Sequence, residues 1–248
     1  MPFATNLIIQ LRHRYGVGTR IMFLNKLDRP GASFKHSLLS LLAHRLHPKP
    51  MVLTLPIASF DPQDYARAEP GIQGLVDLVN WEVWKWDGDG VSTRHPLSRE
   101  IGQLGSMDIL PESHPVLPHL VPARTALLEN LSMFSEELME ILLNLPSSPS
   151  PYLGVDSSTI IPHLRAASLR NNVLPVLCGS AMRSIGTELV MNYVGELLAS
   201  PLDVQHGVQS ADAPLRLLAW KVGWDPKKGW MTYVRIYSGG PYAILCNG

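Results

Sequence analysis

The sequence predicts an α/β protein, and two junctions between a strand and a loop carry that prediction. The apolar run Ile21–Leu24 ends in the polar stretch Asn25–Asp28, which is typical of a buried parallel strand that leads into a ligand loop. A second apolar strand is predicted over Val173–Cys178, and the helix predicted over Gly186–Ala199 follows it closely. Because ligands bind at the carboxyl ends of strands in open α/β sheets, both loops are candidate binding loops.

Length and composition set the first limits on function. The 248 residues can hold one large or two ordinary domains, and the 46% hydrophobic content can supply a core. The formal net charge is zero, so no global electrostatic footprint for RNA is present, although local ribosome contacts remain compatible. Two cysteines, Cys178 and Cys246, predict a reducing compartment. No apolar stretch approaches the roughly 20 residues of a membrane-spanning helix, so no membrane partner is expected.

The tetrapeptide Asn25–Asp28 resembles the guanine-specificity motif of GTP-binding proteins, Asn-Lys-x-Asp. A carboxylate at Asp28 can accept the two N–H donors on one edge of guanine, whereas adenine offers no equivalent pair. Lys26 can lay its stem and charge over the flat base, and Asn25 can brace the loop through backbone hydrogen bonds. The alternative is a solvated loop in which Asn and Asp act as capping residues.

A wider resemblance supports the nucleotide interpretation. The stretch Arg20–Phe34 resembles the elongation factor G family of translational GTPases, and Ala32–Ser37 is most similar to the mitochondrial branch that acts in ribosome recycling. Leu174–Ala181 is similar to the second base-contacting motif of that family, which ends in Gly-Ser-Ala. The resemblance implies that Ser180 and Ala181 also belong to the guanine site, with the Ala181 N–H meeting guanine O6. It covers nearly the whole chain, most firmly residues 20–42 and 164–203.

The resemblance also implies a domain organisation. It predicts the C-terminal half of a P-loop GTPase domain that carries a large α+β insertion, followed by the start of a β-barrel domain. The corresponding ranges are 1–50 and 172–205 for the GTPase domain, 51–171 for the inserted subdomain, and 213–248 for the truncated barrel domain.

Hydrophobic periodicity and turn residues predict the remaining elements. Helices are expected over Thr5–Tyr15, after a Ser33 cap, and over Pro122–Leu143 and Ser158–Leu169; strands are expected over Met51–Ile57, within Ile72–Trp86, and over Leu215–Val222 and Trp230–Tyr237, with a loop of low order over Ser92–Leu120.

The parts of a GTPase that hold phosphate and Mg²⁺ have no match in the sequence. It contains no Gly-x-x-x-x-Gly-Lys-Ser/Thr, no switch threonine and no Asp-x-x-Gly-His in the family order. Asp87–Gly90 fits Asp-x-x-Gly but is predicted to be a hairpin turn. His36, His44 and His47 are assigned to a solvated helix face rather than to a metal site. No catalytic residue and no metal ligand is therefore assigned.

Two functions are compatible with these patterns. In the first, the chain is an internal piece of a translational GTPase that binds GTP or GDP, with Mg²⁺ in the complete family members. It would act on the mitochondrial ribosome in translocation or recycling, in the matrix, with a ribosome recycling factor as a further partner. In the second, it is a non-catalytic module that binds a ribosome or another partner. The resemblance leaves GTP hydrolysis open, and the chain alone is expected to be inactive.

Overall fold

Two units make up the chain, Met1–Leu198 and Ala199–Gly248. The computed structural model describes residues 19–58, 71–86, 91–107, 110–146, 150–200 and 216–238. The predicted helix over Thr5–Tyr15 and the predicted turn at Asp87–Gly90 lie outside these residues. Helices and strands both contribute to the described part, so the mixed α/β class is confirmed.

The first unit contains nine strands and five α-helices among its described residues, and a hairpin is described in the second unit. In chain order they are β1 (Met22–Leu24), α1 (Phe34–Ala43), β2 (Pro50–Val52), β3 (Thr54–Ile57), β4 (Gly74–Asp77), β5 (Glu82–Trp86), β6 (Ser92–Pro96), β7 (Ser106–Met107), β8 (Leu110–Pro111), α2 (Leu117–Ser132), α3 (Glu136–Leu143), α4 (Ser157–Leu169), β9 (Leu174–Cys178), α5 (Thr187–Leu197), β10 (Arg216–Asp225) and β11 (Gly229–Ser238).

A three-stranded parallel sheet contains both predicted strands that lead into candidate loops. Its order is β1-β9-β2, and all five residues of the central strand β9 are buried. Burial on both faces explains the uninterrupted apolar sequence of β9. Leu24 and Cys178 pair at the ends of β1 and β9. Because the two strands run parallel, the loops that follow them leave from the same edge of the sheet.

The strand predicted over Met51–Ile57 is two strands in two different sheets. Met51 pairs with Pro175 in the parallel sheet, whereas β3 pairs with β4 in a four-stranded antiparallel sheet of order β3-β4-β5-β6. Leu53 lies between them and donates its N–H to the Val176 carbonyl at 2.9 Å. The predicted boundary of the insertion at residue 51 therefore falls inside β2, while the division into GTPase domain and insertion stays a prediction.

The prediction of a loop of low order over Ser92–Leu120 is wrong for much of that range. It contains β6, the β7–β8 pair and the beginning of α2. Composition pointed to a loop because the stretch is rich in Pro, Ser, Gly and His. In the fold, β6 completes the antiparallel sheet by pairing with β5, with Thr93 opposite Lys85. Backbone hydrogen bonds to a neighbouring strand outweigh weak local preference in such a segment.

The single helix predicted over Pro122–Leu143 is also two elements, α2 and α3. Ser135 ends the continuity because its hydroxyl accepts the Leu138 N–H at 3.2 Å and caps α3. A serine hydroxyl that bonds to nearby backbone favours a helix start over a helix interior. Pro122 lies inside α2 rather than in its first turn. The Ser33 cap of α1 is confirmed, with the His36 N–H donated to its hydroxyl, and α4 and α5 confirm the other two helix predictions.

The second unit is described by one antiparallel hairpin. β10 and β11 pair over most of their length, with Trp224 opposite Trp230 next to the turn. The two predicted strands are confirmed, with slightly longer bounds. Assignment of the hairpin to the start of a β-barrel domain stays a prediction.

A buried polar contact joins α5 to the antiparallel sheet. The Tyr193 hydroxyl donates to Asp77 Oδ1 at 2.7 Å, and both residues are fully buried. Asp77 also accepts the Val79 N–H and two donors of Asn80. Burial raises the pKa of the Asp77 carboxyl, an effect that these hydrogen bonds oppose. The bond from Tyr193 is therefore one of a set that satisfies a carboxyl group which water does not reach.

Replacing Tyr193 by Phe should destabilise the first unit by about 1–3 kcal/mol, because a buried acceptor loses a donor. Urea unfolding of both proteins at neutral pH measures the change. Tyr152→Phe is the matched control, since Tyr152 is half-buried and its backbone carbonyl, not its hydroxyl, receives a hydrogen bond from Arg124. Equal stability of Tyr193→Phe and wild type would contradict a stabilising role for this contact.

Candidate functional site

The two candidate loops extend the parallel pairing of β1 and β9 beyond the ends of the strands. The Gly179 N–H is donated to the Leu24 carbonyl at 3.1 Å, and the Leu27 N–H is donated to the Gly179 carbonyl at 3.2 Å. Leu27 is buried, whereas Asn25 and Lys26 are exposed. The first loop is thus anchored by one apolar side chain and by backbone bonds, which leaves Asn25 and Lys26 at the surface.

The second loop closes on itself. Ser180 and Ile185 exchange two backbone hydrogen bonds of 3.0 and 2.9 Å, around a single 3₁₀ turn over Ala181–Arg183. Glycines are required on both sides of this closure. A Cβ at Gly179 would strike the Ile185 carbonyl oxygen, and a Cβ at Gly186, which has φ +80°, would lie 2.8 Å from the Cys178 carbonyl oxygen.

Asn25 links the two loops. Its Oδ1 atom accepts the Lys26 N–H at 2.8 Å and the Ala181 N–H at 2.9 Å. Residues that lie 156 positions apart in sequence therefore meet, and the predicted bracing role of Asn25 is confirmed. The Ala181 N–H, which the family resemblance directs at a base oxygen, is directed at Asn25 in this structure. A base oxygen would have to share this donor or take it over.

Asp28 lies beside the second loop with only 9% of its side chain exposed. The pKa of Asp28 is below its ordinary value, in spite of partial burial. The Ser180 hydroxyl contributes most to this lowering, and the backbone of Asp28 and the charge of Arg183 add to it. The Asp28 side chain is therefore a carboxylate at neutral pH. Ser180 Oγ itself is buried and forms no hydrogen bond of standard distance and angle. The two groups are neighbours without a well-aligned bond, which leaves acceptor capacity on the carboxylate.

The structure brings together all five residues that the sequence assigned to the site. Asn25, Lys26 and Asp28 lie on the first loop and Ser180 and Ala181 on the second. Sequence reasoning missed Arg183, whose Nε atom lies 3.5 Å from Asp28 Oδ2. Its only sequence signal is its position two residues after Ala181. That position acquires meaning once the 3₁₀ turn folds back towards the first loop.

The antiparallel sheet holds the helix that follows the second loop. Glu188, in the first turn of α5, accepts hydrogen bonds from the Ser92 hydroxyl at 2.6 Å and from Arg94 at 2.8 Å, both on β6. These contacts keep the pKa of Glu188 below its ordinary value. Together with the bond between Tyr193 and Asp77, they hold the first turn and the middle of α5 against the segment that lies between the two candidate loops in sequence.

Neither a metal site nor a membrane-spanning helix is present in the part of the chain that the structure describes. Within those residues, no group of three or more His, Cys, Asp or Glu side chains is arranged to hold a metal ion. The prediction of a solvated helix face is wrong for His47, which lies after the end of α1, is buried, and bonds to the Asn171 carbonyl and the Lys49 N–H. Among the same residues, no helix is both long and apolar enough to cross a membrane.

Comparison with curated proteins gives relatives over nearly the whole chain. Ribosome-releasing factor 2, mitochondrial, from Rattus norvegicus is 31% identical over 221 residues, which is 89% of this chain and 26% of the relative. The protein of the same name from Vanderwaltozyma polyspora is 26% identical over 245 residues, which is 92% of this chain and 28% of the relative. The chain thus spans about a quarter of the length of these relatives.

Comparison with solved structures supports the fold. A crystal structure of a protein from Thermus thermophilus matches with a TM-score of 0.58 and 23% identity, over 89% of this chain and 27% of that one. At this identity the match bears on the fold alone. No protein-family model matches the chain.

Asn25→Ala should loosen the second loop, because the Ala181 and Lys26 N–H groups lose their shared acceptor. We expect faster hydrogen exchange at the Ala181 amide and a loss of about 1–2 kcal/mol in unfolding free energy. Exchange measured by NMR at single amides checks the first effect and urea unfolding the second.

Asn130→Ala is the matched control for this substitution. Asn130 is exposed on α2 and donates only to the Ala126 carbonyl of its own helix, so its replacement should change stability by less than about 0.5 kcal/mol. Unchanged protection of the Ala181 amide in Asn25→Ala would contradict the linking role.

Proposed function

We propose that this chain, a homologue of mitochondrial ribosome-releasing factor 2 over 89–92% of its length, is the guanine-binding part of a translational GTPase of the elongation factor G type. The observation that carries the proposal is the Asn25 link, which joins the two candidate base loops at one place. Random loops would not bring an Asn-Lys-x-Asp motif and a Gly-Ser-Ala motif together after a separation of about 150 residues.

The chemistry of Asp28 fits a guanine base. Its lowered pKa keeps the carboxylate ionised, and an ionised carboxylate accepts two N–H donors as a charge-assisted pair. Guanine presents such a pair at N1 and its 2-amino group. Adenine presents none on that edge, so it would leave a partly buried carboxylate without donors. A site built on a hydrogen bond rejects an analogue that lacks it more strongly than a site built on shape.

The neighbouring groups fit the same ligand. Lys26 is exposed at the loop surface, where its apolar stem and its charge can cover the flat face of a base. Ser180 contributes a buried hydroxyl that lacks a well-aligned partner, which is a polar group for a ligand to satisfy. The Ala181 N–H, now directed at Asn25, is the donor for guanine O6. GTP or GDP is therefore the nucleotide that we assign to these residues.

The names of the relatives support a biological setting. Both are ribosome-releasing factors described as mitochondrial, which supports a mitochondrial location and a ribosome partner for this chain. We place its action in ribosome recycling rather than in translocation on the same ground. A ribosome recycling factor is a further partner that follows from the family resemblance.

The phosphates of the nucleotide have no assigned ligands in this sequence. A GTPase holds its nucleotide by base contacts and by a phosphate cradle with Mg²⁺, and only the base contacts can be assigned here. Losing four or five charge-assisted bonds, each worth about 1.5–3 kcal/mol, removes about 6 kcal/mol or more after allowance for non-additivity. A micromolar site would then weaken to about 10 mM.

Asp28→Asn should reverse the choice of base. Xanthine carries a carbonyl where guanine carries its amino group, so an amide at position 28 matches xanthine better than a carboxylate does. Titration of GTP and of xanthosine triphosphate, followed by the NMR shift of the Ala181 amide, gives the ratio of the two affinities even at millimolar Kd. In a chain completed with a phosphate-binding half, Asp28→Ala should cost about 1.5–3 kcal/mol of GTP binding.

Asp156→Asn is the control for this exchange. Asp156 is an exposed carboxylate whose partner Arg99 is itself exposed, and neither residue lies on a candidate loop. Its replacement should leave the ratio of affinities unchanged. If Asp28→Asn still prefers GTP as wild type does, Asp28 does not read the base and the proposed function fails.

The 248-residue chain should not hydrolyse GTP and should bind it no tighter than about 10 mM, because only the base contacts hold the nucleotide. Fluorescent GTP titrated in the presence of Mg²⁺, together with a phosphate-release assay, measures both properties. Saturable binding tighter than about 10 µM, or turnover that Asp28→Ala abolishes, would show that the chain builds a phosphate site after all.

A further inference from the structure

Arg183 lies against the carboxylate that the proposed function assigns to the base. Its Nε atom is 3.5 Å from Asp28 Oδ2, within ion-pair distance but longer than an aligned hydrogen bond. The Arg183 side chain is 65% exposed, whereas that of Asp28 is 9% exposed. The guanidinium group therefore reaches the carboxylate from the solvent side, where a base would also have to approach.

The backbone of the second loop holds Arg183 in this place. The Arg183 N–H is donated to the Ser180 carbonyl, and the residue after it, Ser184, adopts left-handed φ +57° to turn the chain back. The two backbone hydrogen bonds between Ser180 and Ile185 close the loop at its base. The side chain is thus presented towards Asp28 by a closed turn.

We propose that Arg183 competes with guanine for Asp28, so that a base must displace the guanidinium group before the carboxylate can read it. The inference rests on the proposed function, because it assumes that Asp28 accepts the base donors. Both partners offer N–H donors to the same carboxylate, and the 9% of the Asp28 side chain that is exposed leaves little room for both to approach at once. Arg183 is then a positioning residue: it contacts Asp28 in the nucleotide-free protein and thereby lowers the affinity of the site for guanine.

The size of the competition follows from the exposure of the pair. An ion pair with one partner mostly in solvent is weak and is screened by salt. Guanine, which makes two charge-assisted bonds to Asp28, can displace such a partner at a modest loss of affinity. The expected effect of removing Arg183 is therefore an affinity gain of about two- to fivefold.

The experiment compares the wild-type chain with Arg183→Met, Arg183→Lys and Arg29→Met by NMR titration with GDP, followed at the Ala181 amide. Arg183→Met should bind GDP about two- to fivefold more tightly than wild type when the two are compared at equal ionic strength, and the advantage should shrink when NaCl is added. Arg183→Lys should stay close to wild type because it keeps a competing cation. Arg29→Met removes a neighbouring positive charge that acts on Asp28 more weakly than Arg183 does, and should change GDP binding less.

A second readout does not depend on nucleotide. In the free protein, a ¹³C titration of Asp28 should show its pKa higher in Arg183→Met than in wild type, because a cation that lowers it is gone. GDP binding to Arg183→Met that is equal to or weaker than wild type, or an unchanged pKa of Asp28, overturns the competition. Failure of the proposed function gives a different result from failure of the competition. In that case neither the wild type nor Arg183→Met responds selectively to guanine over adenine nucleotides.

Discussion

The candidate site depends on one hydrogen-bonding atom, Oδ1 of Asn25. It accepts N–H groups from the first and second loops at 2.8 and 2.9 Å, so the positions of Asp28 and Ala181 are fixed relative to each other through it. Parallel pairing of β1 and β9 brings the loops to the same sheet edge, but pairing alone leaves their tips free. A rigid amide between two backbone donors removes that freedom. The contact fixes where the two loops lie before a ligand arrives, and a base then has to share or take over the Ala181 N–H.

The segment between the two loops also contributes to the site. The chain leaves the parallel sheet at Leu53 and re-enters it at Leu174, and a long closed loop of this kind costs little more entropy than a shorter one. The antiparallel sheet within it holds α5 through two polar contacts, a buried bond to Tyr193 and an exposed pair at Glu188. Because α5 directly follows the second loop, these contacts help to set where Ala181 and Arg183 lie.

Sequence reasoning identified those helices and strands whose apolar residues follow one hydrophobic period from end to end. Predictions failed where a neighbour elsewhere in the chain decided the outcome. The strand predicted over Met51–Ile57 divides at Leu53 because β9 takes one half and β4 the other. The predicted loop from Ser92 contains a strand because β5 pairs with it. The helix predicted through Ser135 breaks there because a hydroxyl caps the next helix, a local signal that the apolar periodicity concealed.

The sequence by itself determined the chemistry of the two loops. Asn25, Lys26 and Asp28 after one apolar strand, and Ser180 and Ala181 after another, are readable as residue types and positions. Only the tertiary structure decided which of these groups contact each other. It assigns the Ala181 N–H to Asn25 and places Arg183 against Asp28. The contact between Ala181 and Asn25 joins residues 156 positions apart. Both contacts also depend on the direction in which the 3₁₀ turn over Ala181–Arg183 folds back, so a pattern of neighbouring residues cannot encode either of them.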